Sequence, residues 1–132
     1  MKRLALATAV LMSACLPNAF AADDYSRQFS ACMDTSGGVT SNMVDCYNEE
    51  LTRQDARLNE AYKMTMSAFS AESKTRLRDA QRLWIKFRDA DCGIYYTLSG
   101  GTMDMLNGAD CVLSMTKKRA DDLLWLSKNG GE

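Results

Sequence analysis

Apolar residues recur at helical spacing along most of the chain. Between about Ser41 and Phe69 they stand three, four or seven positions apart, which is typical of one face of an amphipathic helix. That stripe consists of Tyr47, Leu51, Leu58, Tyr62, Met66 and Phe69. A second helix is predicted from an N-cap at Ser70 to about Cys92, and a third from about Asp110 to the terminator Asn129-Gly130-Gly131. The positions predicted to be buried in these two helices include Leu77, Ala80, Trp84, Phe87, Val112, Met115, Leu123 and Leu126.

The rest of the pattern adds one short element and no sheet. Residues 24–34 can form a short N-terminal helix that Ser36-Gly37-Gly38 would end. No stretch alternates as a strand does. The predicted fold is therefore all-α, with an antiparallel helical hairpin, a third helix and a short N-terminal helix.

The two helices of the hairpin carry polar residues where their interface should lie. Only a residue or two around Ser70 joins them, so they should pack antiparallel. Three pairs of positions would then face each other, namely Asp55 and Arg88, Leu58 and Trp84, and Tyr62 and Gln81. Buried polar groups are costly unless they are paired. We therefore predict a structural polar network with an Asp55–Arg88 ion pair; its members are Asp55, Asn59, Tyr62, Gln81, Trp84 and Arg88. The alternative is that Asp55 and Arg88 point to solvent.

The N-terminus has the pattern of a secretion signal. Lys2 and Arg3 precede an apolar run that is too short to span a bilayer, and Ala19-Phe20-Ala21 supplies a small-x-small cleavage site. We predict a signal peptide over residues 1–21 and a single helical domain over residues 22–132, periplasmic or secreted in the bacterial envelope, without a transmembrane segment. Met12-Ser13-Ala14-Cys15 approximates a lipobox. Lipidation of Cys15 is the alternative that would make the protein a membrane-anchored lipoprotein.

Four cysteines remain after cleavage, an even number in a small exported domain, which favours two disulfides. In the predicted hairpin Cys46 faces residue 96 and not Cys92, so a bond across the hairpin would be displaced by about a helical turn. We therefore predict the pairs Cys32–Cys46 and Cys92–Cys111. A zinc site is a weaker interpretation, since the chain has no C-x-x-C pair and no histidine.

Charge and composition exclude several functions. Residues 22–132 hold 14 basic and 17 acidic residues, a net charge of −3, with no basic block of the kind that nucleic acid requires. Without histidine the commonest general base is missing, and Glu49-Glu50 is interpreted as a solvated helix face. We predict no enzyme activity, no catalytic residue, no cofactor and no metal. Binding of a soft metal by the methionines stays open as an alternative, although they form no compact cluster.

The spacing of these residues resembles the LprI-type lysozyme-inhibitor family. The matching features are Cys46, Asp55, Leu58-Asn59, Tyr62, Ala80-Gln81-x-x-Trp84, Arg88-Asp89-x-x-Cys92, Gly100-Gly101-Thr102, Cys111, Thr116 and Arg119. They extend from about Cys32 to Leu123. The resemblance implies a helical, disulfide-bonded envelope domain whose partner is a protein, lysozyme, that it inhibits.

The segment between Cys92 and Cys111 is the candidate partner-binding loop. Loops held on a rigid scaffold often carry function, and Tyr and Met are frequent in interface cores. The candidate residues are Tyr95, Tyr96, Gly100, Gly101, Thr102, Met103, Asp104 and Met105. With Asp104 or Asp110, this loop would enter the lysozyme cleft and occlude it. The alternative is that its aromatic and methionine side chains only cover the end of the hairpin.

Two other functions stay open at this point. One is an envelope structural or stress-related module that binds a cell-wall component or an envelope protein. The other is a periplasmic small-molecule or metal binder, which should show an apolar pocket between helices. The sequence does not name the target, the lysozyme class or the oligomeric state.

Overall fold

The computed structural model describes residues 25–131, which fold into four helices. α1 spans Arg27–Thr35, α2 spans Thr40–Ala68, α3 spans Ala71–Tyr95 and α4 spans Met103–Asn129. No strand occurs among these residues, so the predicted all-α fold is confirmed. The predicted signal peptide and Cys15 lie outside the described residues.

Helix α4 is the central element. It buries a continuous face of large and small side chains at steps of three and four; they are Leu106, Ala109, Leu113, Thr116, Ala120 and Leu123. α2 packs along α4 most extensively, and α3 packs on α4 as well. Small residues in this face let the helices approach closely, because they keep the backbones from being held apart by bulky side chains.

The contacts fix the directions of the three long helices. Two contacts show that α2 and α4 are parallel. Arg57 of α2 pairs with Asp121 of α4, and further along both helices the Thr65 hydroxyl donates to the Leu123 carbonyl at 2.7 Å. α3 runs the other way, since its C-terminal Cys92 meets the N-terminal Cys111 of α4. α2 and α3 are therefore antiparallel, as predicted.

The predicted interface inside that hairpin is nevertheless wrong. Direct contact between α2 and α3 is slight compared with the contact that each makes with α4. The reason is competition between apolar faces, because α4 offers both helices a longer buried surface than they offer each other. One side of the α2–α3 pair is filled by α4 and the other side stays open.

The buried faces of α2 and α3 also differ from the predicted stripes. α2 buries Cys46, Glu50, Gln54, Leu58, Ala61 and Thr65, so that of its predicted stripe only Leu58 is fully buried. Glu50 has no exposed surface, which corrects its assignment to a solvated face. On α3, Leu77 is buried, whereas Ala80 and Phe87 are exposed. A core cluster between the three long helices consists of Leu58, Ala61, Leu77, Ala120 and Leu123.

Both predicted disulfides are present. Cys32–Cys46 ties α1 to α2, with a Cα–Cα distance of 5.7 Å, and Cys92–Cys111 ties α3 to α4 at 5.5 Å. The second bond closes a shorter connection than expected, because α4 begins at Met103 and not near Asp110. Only residues 96–102 link α3 to α4. Over residues 25–131 no helix is long and apolar enough to cross a membrane.

Candidate functional site

The link between α3 and α4 presents a compact set of exposed apolar side chains, which we call the turn surface. Its members are Ile94, Tyr95, Tyr96, Leu98, Met103 and Met105. Their exposed fractions run from 37% for Tyr96 to 58% for Ile94. Soluble proteins seldom leave so many neighbouring large apolar residues in water without a function for them. The structure thus brings four residues of the predicted binding loop into one surface and adds Ile94 and Leu98 to it.

Asp104 holds this turn in place from inside. Its carboxylate accepts hydrogen bonds from the backbone N–H groups of Ser99 and Gly100, at 2.9 and 2.8 Å, and from the Ser99 hydroxyl at 2.8 Å. The hydrogen bond from the Ser99 backbone N–H is the largest cause that lowers the pKa of Asp104, and the three donors together outweigh the opposing effect of desolvation. The side chain is buried in this structure, so of the two acidic candidates, Asp104 and Asp110, Asp104 supports the turn from inside. Asp104 instead orders the segment that includes Gly100, whose φ of 75° suits glycine.

Two further features fix the turn on its scaffold. The Cys92–Cys111 bond joins the helices just before and after it. The Tyr96 ring lies directly against Gly108 of α4, where an added Cβ would be only 2.4 Å from the ring. Gly108 is therefore the residue that lets Tyr96 pack on α4. A turn held at these points can present its apolar side chains with little loss of conformational entropy on binding.

An acidic notch of about 340 Å³ adjoins the turn surface. Asp91 and Asp110 lie in its wall together with Tyr95 and Met115. Burial is the main cause that raises the pKa of Tyr47, and the negative charge and hydrogen-bond acceptor of Asp110 raise it further, so Tyr47 and Asp110 are neighbours. No Lys or Arg occurs between Arg88 and Lys117 in the sequence. This end of the molecule therefore combines apolar side chains with two carboxylates, in a segment of the chain that contains no basic residue.

The six predicted network residues meet elsewhere, at the open side of the α2–α3 pair. They line an open groove of about 400 Å³, which we call the α2–α3 groove, together with Leu58, Arg78, Arg82 and Ile85. The six residues are therefore near one another, whereas the predicted pairing between individual residues is not shown by their common lining of the groove.

The predicted Asp55–Arg88 ion pair does not form among residues 25–131. Asp55 accepts a hydrogen bond from the Asn59 amide at 3.2 Å on its own helix. Arg88 donates to Asp89 at 2.8 and 2.9 Å and to the Thr116 hydroxyl at 3.2 Å. The physical reason is the α4 helix, which supplies Arg88 with a partner on the packed side of α3.

The predicted contact between Tyr62 and Gln81 is replaced in the same way. The side-chain amide oxygen of Gln81, Oε1, accepts a hydrogen bond from Arg119 Nε at 2.9 Å. The guanidinium carbons of Arg88 and Arg119 lie 5.1 and 5.9 Å from the centre of the Trp84 ring. These cation–π contacts hold Trp84 between α3 and α4.

Sequence reasoning missed two residues that shape these surfaces. Glu50 was assigned to solvent, although its position one turn after the disulfide-bonded Cys46 placed it on the covered face of α2. Gly108 fell within the predicted loop, since the third helix was expected to begin near Asp110. No signal in the sequence alone shows that Tyr96 needs the space at Gly108.

Groups of three or more Cys, His, Asp or Glu that could hold a metal ion are absent from the described part of the chain. The absence of a metal and of a cofactor remains a prediction.

Comparison with known proteins gives a consistent assignment. The family model described as "Lysozyme inhibitor LprI" matches residues 32–123. An uncharacterized protein of Rhizobium meliloti (strain 1021) is 28% identical over 92 residues, which cover 59% of this chain and 66%, just under two thirds, of the relative. No solved structure gives a significant match. The family match extends over more than half of the chain and includes the turn surface, the α2–α3 groove and both disulfides. The chain belongs to the LprI lysozyme inhibitor family.

Proposed function

We propose that this protein is an exported inhibitor of lysozyme and that its turn surface enters the substrate cleft of the enzyme. The family to which the chain belongs is named for inhibitors and not for enzymes, which supports a binding role without chemistry. The observation that carries the proposal is the apolar turn, held by Asp104 and by the Cys92–Cys111 bond and bordered by negative charge.

The shape and chemistry of the turn suit occlusion of a cleft. Lysozyme-type enzymes cleave a glycan with paired carboxylates in a groove, so an inhibitor can act by filling the groove without supplying a reactive group. Ligand sites are concave and largely apolar. Leu98 and Met103 are more than half exposed at the tip, and the tyrosines beside them offer both an apolar ring and a hydroxyl.

The charges around the turn support a basic partner. Asp91 and Asp110 flank the turn surface in a segment that contains no Lys or Arg. Charges at the rim of an interface act mainly on the rate of association and on its salt dependence. Replacement of both residues by Asn is therefore expected to slow binding at low salt and to have less effect at high salt.

The proposal is tested by lysis of bacterial cell walls with the purified, oxidised protein titrated against c-type and g-type lysozymes separately. Stoichiometric inhibition of one class is the expected result. The double variant Leu98→Ser/Met103→Ser should inhibit about tenfold or more weakly, as loss of central apolar contacts usually does. Leu83→Ser is the control, since Leu83 is a leucine at least as exposed as Leu98, 67% against 57%, and lies outside the turn surface.

Two outcomes would contradict the proposal at different levels. If a folded sample in micromolar excess inhibits neither class, the inhibitor function is wrong for this protein. If inhibition occurs but the control variant weakens it as much as the turn variant does, the turn surface is not the contact.

A further inference from the structure

The α2–α3 groove lies in a different part of the molecule from the turn surface, and arginines predominate among the charged residues of its lining. Arg78, Arg82 and Arg88 line it, and Asp55 is its one carboxylate. Of the three guanidinium groups in the lining, Arg88 is paired with Asp89 and Arg82 lies 4.0 Å from Asp79, so the groups most open to a ligand are those of Arg78 and Arg82. Guanidinium groups without a close acidic partner favour an anionic ligand.

Two of these guanidinium groups retain hydrogen-bonding capacity. Among the described residues Arg78 has neither a hydrogen bond nor an ion pair. Arg82 approaches only Asp79, at 4.0 Å, which is the outer limit of an ion pair. Arg78 and Arg82 are four residues apart on α3 and therefore project from the same face, over the groove. The guanidinium fork matches a carboxylate in two parallel hydrogen bonds.

The remainder of the groove is apolar or neutral and is held in place. Leu58, which is 4% exposed, and Ile85 contribute apolar surface. Trp84 is fixed between α3 and α4 by Arg88 and Arg119, so the wall that it forms does not need to reorganise. Tyr62 offers a ring and a hydroxyl. The volume of about 400 Å³ lies in the usual range of small-ligand sites.

We propose that the α2–α3 groove binds a small ligand that carries a carboxylate on an apolar or ring-shaped body, with Arg78 and Arg82 binding the carboxylate. An organic carboxylate fits better than inorganic phosphate because the guanidinium fork matches its two oxygens and the apolar surface of Leu58 and Ile85 can contact its body. Sugar acids and the C-terminal ends of short peptides both have this chemistry. The proposal does not depend on inhibition of lysozyme, because it concerns a separate surface.

The test uses the fluorescence of Trp84 in the purified, oxidised protein. Trp125, the other tryptophan of the chain, is replaced by Phe, which removes its signal. N-acetylmuramic acid is titrated against N-acetylglucosamine, which has the same ring without the carboxylate. N-acetyl-D-alanyl-D-alanine is titrated against its C-terminal amide. A saturable change with the acid of either pair and not with its neutral counterpart is expected, and the responding pair identifies the source.

Substitution variants test whether Arg78 and Arg82 bind the carboxylate. Arg78→Gln/Arg82→Gln should weaken binding by roughly tenfold or more, since each lost charged hydrogen bond is worth that order. Arg76→Gln is the control, because Arg76 is exposed on the same helix and pairs with Glu72 outside the groove. Lysozyme inhibition by the double variant should be unchanged, which separates this proposal from the proposed function.

Three results would overturn the assignment. In the first, neither acid is distinguished from its neutral counterpart. In the second, the double variant and Arg76→Gln weaken binding equally. In the third, inorganic phosphate displaces the acid at an equal or lower concentration, which would make the groove a general anion site.

Discussion

Glu50 on α2 holds Ser26 at the start of α1 with both oxygens of its carboxylate. The Ser26 backbone N–H donates to Oε1 at 3.1 Å and the Ser26 hydroxyl donates to Oε2. Gln54 adds a second donor to Oε1, at 2.8 Å, and Arg53 adds one to Oε2, at 2.7 Å. The fully buried carboxylate is thus satisfied by four donors, and it ties α1 to α2 beside the Cys32–Cys46 bond.

This arrangement predicts loss of stability in acid. Burial by itself raises the pKa of Glu50, but the hydrogen bonds from Ser26, Gln54 and Arg53 outweigh it and lower the pKa from 4.5 to about 2. Since the folded carboxyl binds its proton less tightly than the unfolded one, its contribution is complete above about pH 5 and is lost as the pH falls towards 2. The contribution is about 2–3 kcal/mol.

Urea unfolding at pH 7 and at pH 3 measures this effect. Glu50→Gln should be less stable than the parent at pH 7 and should lose less free energy of unfolding between the two pH values. Glu49→Gln, a change at the exposed neighbour, serves as the control. Equal losses in the parent and in Glu50→Gln would show that another group is responsible.

The two disulfides should differ in their effect on function. Removal of either pair by Cys→Ser changes should cost about 2–4 kcal/mol of stability, mainly because the unfolded chain regains freedom. Only Cys92–Cys111 spans the turn surface, so only its loss should also weaken lysozyme inhibition in samples that remain folded. The Cys32–Cys46 variant is the matched control. Equal inhibition by both variants would mean that the turn does not need this bond.

Gly108→Ala should displace Tyr96. The added methyl carbon would lie 2.4 Å from the ring, and overpacking of this kind costs about 1–3 kcal/mol. Gly93→Ala is the control in α3, where a Cβ meets nothing within 4 Å, and it should stabilise the helix by about 0.5–1 kcal/mol. Thermal unfolding measures both variants.

A double variant shows whether the cost at Gly108 comes from the Tyr96 ring. With Tyr96→Ala in the background, Gly108→Ala should become neutral or stabilising, because the helix propensity of Ala then acts without the clash. A cost that persists in the Tyr96→Ala background would contradict this account.

Asp55 and Arg88 should be energetically independent. Arg88→Ala should cost about 1–2 kcal/mol, through the Thr116 hydrogen bond and the cation–π contact with Trp84. Asp55→Ala removes only an exposed contact with Asn59. A double-mutant cycle by urea unfolding should give a coupling within about 0.5 kcal/mol of zero. A coupling energy well above 1 kcal/mol would instead indicate a direct ion pair between Asp55 and Arg88.

Several features of the fold could be predicted because they depend on residues near one another in the sequence. The Ser70 cap is an example, since its hydroxyl accepts the Ser73 backbone N–H three residues later. The disulfide connectivity could also be predicted from the sequence, because the register of the two hairpin helices was enough to exclude a bond between Cys46 and Cys92. The segment between Cys92 and Cys111 was singled out because two cysteines bracket its apolar residues, and its binding role stays a prediction.

The positions of α4 and of the two candidate surfaces were decided by tertiary structure. Local periodicity shows that each helix has an apolar face, but it does not show which faces pair. That choice depends on which combination of faces buries the most surface. Here α2 and α3 each pack on α4 more extensively than they pack on each other. The polar residues between α2 and α3 therefore line an open groove and do not form a closed network. The sequence by itself determined the presence of the helices, the Ser70 cap and the cysteine links, which arise from short-range geometry. Only the packed structure decided the burial of Glu50 and Asp104 and the place of Gly108, because each depends on atoms from another segment.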